Sequence, residues 1–171
     1  SWEMLIRARK RTDRLIRASA QQLPFQDGAF DSVFARSLFH HLRNLEDGLE
    51  EAARVLKPGG TLVLADTNRS LLSVLPRLLL RRSESFSDSH KNLAYGAFRK
   101  KIERLFEVRE VVFFGYLAYP LIAFPDLWDP LRLFPFRMGL SRLLMKVDEG
   151  LANLPIIRRL AFGVMIHAVK R

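Results

Sequence analysis

The sequence predicts an α/β domain built on a mostly parallel sheet, and three observations carry that expectation. Residues 30–36 and 61–65 are short runs with apolar side chains at consecutive positions, as in strands covered on both faces. Between them Leu45, Leu49, Ala52, Ala53 and Leu56 recur at helical spacing. The chain has 171 residues, 49% hydrophobic and 27% charged, enough for one domain with a real core and too apolar for disorder.

Taken in order, residues 1–14 read as a helix. Ser1 is a good N-cap, Glu3 suits the positive end of the dipole, and Met4, Leu5, Ala8 and Thr12 share a face. Residues 15–18 are apolar enough for a short strand. Residues 21–28 form a loop, marked by Pro24 and Asp27-Gly28. Residues 30–36 follow as a buried strand centred on Val33, Phe34 and Ala35. Asn44 caps the next helix, which Lys57 and Pro58-Gly59-Gly60 should close. The strand at 61–65 ends at Asp66. Beyond a very apolar stretch at 71–80 and a polar break at 86–90, residues 93–106 read as a helix with Phe98, Ile102 and Leu105 inward. Residues 107–114 and 163–169 complete the strands.

Composition narrows the function classes. With no cysteine, disulfides and thiolate metal sites are excluded. A metal site of another kind finds no cluster of His and carboxylates at ligand spacing. The net charge of +10 favours anionic partners or simply gives a basic soluble surface. No stretch reaches the roughly 20 apolar residues of a membrane span. A cytoplasmic location, with peripheral membrane association as a variant, is expected.

A series of short motifs then adds a resemblance. Ala18-Ser19-Ala20-Gln21-Gln22-Leu23-Pro24-Phe25 is followed by Asp27-Gly28-Ala29-Phe30-Asp31-Ser32-Val33, by Leu38-Phe39-His40-His41-Leu42 and by Arg54-Val55-Leu56-Lys57-Pro58-Gly59-Gly60-Thr61-Leu62. In this order and spacing the chain resembles class I S-adenosylmethionine-dependent methyltransferases of the ubiquinone/menaquinone C-methyltransferase type. The resemblance implies a Rossmann-like sheet, mostly parallel with an antiparallel last strand. It also implies S-adenosyl-L-methionine as cofactor and methyl transfer as the reaction. The family's first strand, glycine-rich turn and helix, and its acidic strand end, have no counterpart here. The chain is therefore expected to correspond to the later part of such an enzyme, with the N-terminal strand–helix unit missing and cofactor binding weakened. The expected organisation is a partial core at 1–115, a hydrophobic cap at 116–162 and the last core strand at 163–171.

Carried onto this chain residue by residue, the resemblance places Ser19 and Ala20 at the adenine, and Arg36, Ser37 and Leu38 beside the methionine part. Arg36 departs from the small polar residue usual there; it either pairs with the cofactor carboxylate or points to solvent. Ser19 is shorter than the family's usual Asp or Asn and also reads as an ordinary polar strand end. His40 is expected to line the substrate, and His41 is the candidate general base, although a His pair there also serves packing. Asp66 either lines the substrate side or caps the following turn. Methyl transfer asks mainly for alignment and exclusion of water, so no strong base is required.

The tail bears on the acceptor. Residues 116–162 are rich in Leu, Phe and Pro, among them Leu140, Leu143, Leu144, Val147, Leu151 and Leu154, and 138–153 read as an amphipathic helix with Arg137, Arg142 and Lys146 outside. A greasy cap would suit a small-molecule or lipid-like acceptor and an anionic membrane surface. The alternatives are a lid that completes the core and an oligomer interface. Nucleic acid is disfavoured because the aromatics cluster with Leu and Pro. The rival to an enzyme is a non-catalytic, degenerate partner subunit or a peripheral membrane-binding module.

Overall fold

The computed structural model describes residues 2–70, 93–118, 136–154 and 156–171. In chain order these form α1 (Trp2–Ala8), β1 (Phe30–Arg36), a 3-10 turn (Phe39–His41), α2 (Leu45–Val55) and β2 (Leu56–Thr67). They continue with α3 (Tyr95–Ile102), β3 (Phe106–Phe114), α4 (Arg137–Ala152), a second 3-10 turn (Ile157–Leu160) and β4 (Gly163–Lys170). The expected segments 71–80 and 86–90, and the N-cap role of Ser1, lie outside the described residues.

The sheet order is β1-β2-β4-β3. β1 and β2 are parallel, and β4 runs antiparallel to both β2 and β3. β4 is thus the one reversed strand of the four described. One face of the sheet carries the core. Leu62 and Leu64 of β2, Val164 and Ile166 of β4 and Phe106 of β3 are fully buried against Leu49, Ala52 and Ala53 of α2 and Phe98 and Ile102 of α3. The register puts Phe34, Val63, Met165 and Val112 on the other face. There Phe34 is 65% exposed, and Val112 and Met165 are also exposed. The expectation that residues 30–36 are buried on both faces is corrected: among the described residues only one face of β1 is covered.

Three further expectations change. The first helix ends at Ala8 rather than near Arg14. One Arg7–Glu3 pair supports it, and beyond it Arg9, Lys10 and Arg11 place like charges side by side. Residues 15–18 form no strand, since no described strand pairs with them, and Ile16 is 57% exposed. Pro58-Gly59-Gly60 does not close α2, which already ends at Val55. The three residues form an irregularity inside β2 instead: Phe30 pairs with Leu56, and the ladder resumes with Ser32 opposite Thr61. Gly59 has φ +72°, and a Cβ on Gly60 would stand 2.8 Å from the Lys57 carbonyl oxygen. Lys57 leaves the helix for this bulge and its Nζ donates to Asp31 at 2.7 Å.

Candidate functional site

The carboxyl ends of β1 and β2 meet at Asp66. Its position in the β2 alternation turns it to the covered side, where it is 5% exposed. Oδ2 accepts from the backbone N–H of Phe39 at 2.8 Å and of His40 at 3.3 Å. Oδ1 accepts from His40 Nδ1 at 2.5 Å and from the Thr67 N–H at 2.7 Å. These bonds satisfy donors at the start of the 3-10 turn that would otherwise have no partner. Asp66 therefore holds the turn after β1 onto β2 and fixes the His40 imidazole, itself 7% exposed, in one orientation. The His41 ring lies against it at a tilt of 40°, with centroids 3.9 Å apart, and is exposed.

Arg36, Ser37 and Leu38 bridge β1 and this turn. Ser37 has φ +51°, in the left-handed region a non-glycine residue seldom occupies, and its N–H donates to Ala65 O at 2.8 Å. Arg36 and Ser37 are exposed. With Asp66 and Thr67 they line a pocket of about 40 Å³. That volume suits one water-sized group and no more. Thr67 Oγ1 is buried without a hydrogen-bond partner among the described residues. On the β4 side of the same pocket, the Phe114 ring lies directly over the Cα of Gly163, where a Cβ would collide with it.

Ser19 and Ala20 stand in a separate local turn. Ser19 is exposed; its Oγ accepts from Gln21 N at 3.2 Å and its carbonyl from Gln22 N at 3.1 Å. The structure thus gathers Arg36, Ser37, Leu38, His40 and Asp66 at one rim, and sets Ser19 and Ala20 on the loop that leads into β1.

Two residues to which sequence reasoning gave no role of their own fix that loop. Arg54 on α2 donates to Phe25 O at 2.8 Å, Leu23 O at 3.0 Å and Asp27 Oδ1 at 2.7 Å. Glu51 accepts from Arg54 Nε at 2.8 Å and from the Leu23 N–H at 2.7 Å. The Arg54 guanidinium first, and the Leu23 N–H next, hold the Glu51 carboxyl at about 2, well below the usual range. A Glu-x-x-Arg spacing on the helix that follows a Pro-containing loop was the available signal. Among the described residues no three His or acidic side chains are placed to hold a metal ion.

A parallel β1–β2 pair with a polar rim at its carboxyl ends, followed by an antiparallel strand inserted beside β2, makes an open α/β sheet of Rossmann-like kind. Residues 1–64 match the family described as a methyltransferase domain. Demethylmenaquinone methyltransferase of Mycobacterium sp. (strain KMS) is 38% identical over 85 residues, 46% of this chain and 36% of that one. A SAM-dependent methyltransferase of Thermotoga maritima superposes with a TM-score of 0.64 at 18% identity, covering 99% of this chain and 70% of the other. A Haloferax volcanii methyltransferase solved with its Trm112 activator gives a TM-score of 0.62 at 21% identity, covering 99% and 69%. The chain is thus similar to methyltransferase domains over residues 1–64, and its fold is the Rossmann-like one of S-adenosylmethionine-dependent methyltransferases. It spans about a third of the length of the curated relative above, by the 36% coverage.

Proposed function

We propose that this chain contributes to methyl transfer from S-adenosyl-L-methionine to a small acceptor with an apolar body. The observation that carries this reading is the shared rim at the carboxyl ends of β1 and β2, in a segment whose sequence matches a methyltransferase domain. The bound cofactor would supply a methyl group already activated on sulfonium sulfur.

The residues present fit one end of that cofactor. Arg36 is exposed at the rim and suits a carboxylate. The orphaned Thr67 Oγ1 offers a hydroxyl to a polar group entering the small pocket beside it. Leu38 would supply apolar contact. Asp66 keeps the turn in place, and His40 acts through that turn rather than on the acceptor. His41, exposed at the same turn, is the side chain able to take a proton from an acceptor. Ser19 and Ala20 would meet the adenine if their loop, anchored by Arg54, frames it. Exposed Met138, Leu143 and Met145 on α4 support the apolar acceptor and would serve equally on a lipid surface.

A second reading, a methyltransferase-like partner subunit without activity, is favoured by one observation. Ser19 stands where the family usually has the longer Asp or Asn, and its Oγ is already taken by the Gln21 N–H at 3.2 Å. Titration with S-adenosyl-L-methionine and competition by S-adenosylhomocysteine separates the two. Saturable binding that Arg36→Ala weakens about tenfold supports the first reading, since a charge-assisted contact carries that much. No binding to a protein carrying this chain leaves the second.

A further inference from the structure

Past the rim, where Asn68 follows Thr67, a larger cavity of about 640 Å³ opens beside the start of α3. Asn68 and Arg69 enter it from the chain just beyond β2, Tyr95 and Arg99 from α3, Phe113 from β3 and Arg158 from the second 3-10 turn. Every formal charge among these lining residues is positive. Arg99 donates through Nε to Glu103 at 2.7 Å and through Nη1 to the Tyr95 hydroxyl at 3.1 Å. Among the described residues Arg69 and Arg158 have no acidic partner within ion-pair distance. Arg158 instead lies over the Phe113 ring, 5.4 Å from its centroid, and Tyr95 meets the same ring edge-on at 5.0 Å.

Two guanidiniums without carboxylate partners repel each other across a concave site and attract an anion into it. Planar guanidinium forks match the oxygens of carboxylates and phosphates. The Tyr95–Phe113 pair gives the same cavity a flat apolar wall. The volume is that of a small-molecule site rather than an ion site.

We infer that this cavity binds a small organic oxyanion, a carboxylate or phosphate monoester joined to a flat apolar group. The guanidiniums of Arg69 and Arg158 hold the anionic end and the Tyr95–Phe113 wall holds the apolar end. The inference goes beyond methyl transfer and does not rest on it, because binding is read directly and without the cofactor.

The test is calorimetric titration of the whole chain with three probes: inorganic phosphate, phenyl phosphate and benzoate. Phenyl phosphate should bind saturably and more tightly than inorganic phosphate, and binding should weaken as salt is raised. Benzoate against phenyl phosphate tells which oxyanion is preferred. Arg69→Gln and Arg158→Gln should each weaken binding about tenfold, the worth of one charge-assisted contact. All three positions to be changed are exposed, so the variants should keep the fold, which circular dichroism checks. Arg142→Gln on α4, outside the cavity, should change nothing. The inference is overturned if no probe saturates, if both cavity variants bind as the parent does, or if Arg142→Gln weakens binding equally.

Discussion

Asp66 shows how much one side chain can organise. Four hydrogen bonds converge on a carboxylate that is 5% exposed, three of them from backbone N–H groups. Asp66→Ala would strand those donors and should cost about 3 kcal/mol, measured by urea denaturation. Asp66→Asn should cost less, because an amide oxygen still accepts. Glu51 sets a pH dependence. Its carboxyl is held at about 2 from an ordinary 4.5, so its contribution is complete above 4.5 and fades as pH falls toward 2. Glu51→Gln should flatten that part of the acid-stability profile. Asp66 was legible in the sequence as a polar strand end, with lining and capping both open; the capping geometry depends on a turn 26 residues away in sequence, which periodicity cannot show. Arg69 and Arg158 were not legible at all. Loops 89 residues apart in number bring them together, by the difference of their positions.

At the scale of elements, α4 was legible in extent, and Arg142 and Lys146 face solvent as expected. The expected helix at 138–153 is found as Arg137–Ala152, and on it Leu143, 58% exposed, and Val147 also face solvent. The inward side carries Leu144, Leu151 and Asp148. The contact that decides which leucines turn inward is polar, and periodicity does not show it. Asp148 accepts from the N–H groups of Tyr116 at 2.9 Å and Leu117 at 2.7 Å, and so turns the helix about its axis. Asp148→Ala should lose about 2 kcal/mol of stability, while Leu143→Ser should stay within about 0.5 kcal/mol, both read as thermal unfolding shifts. Strands β1 and β2 were legible because their apolar runs are continuous. The bulge at Pro58-Gly59-Gly60 was not, because a turn signal does not say whether it ends a helix or interrupts a strand. Gly60→Ala tests the bulge: its Cβ would press on the Lys57 carbonyl, and a loss of about 1–3 kcal/mol is expected.

For the molecule as a whole, β4 is the member that unites the sheet. β2 and β3 never pair with each other; each pairs only with β4 on that side. Ile166, 1% exposed in the middle of β4, touches the core shared by both halves. Ile166→Ala should therefore cost about 2–5 kcal/mol in a single cooperative transition. The sequence announced the strand but not its place, since order within a sheet is fixed by long-range pairing. A ribosome makes β4 last of the four strands. While it is still in the exit tunnel, β1–β2 and β3 wait as separate fragments with unpaired edges. The nascent chain thus depends on whatever shields those edges until residues 163–170 emerge and zip between them.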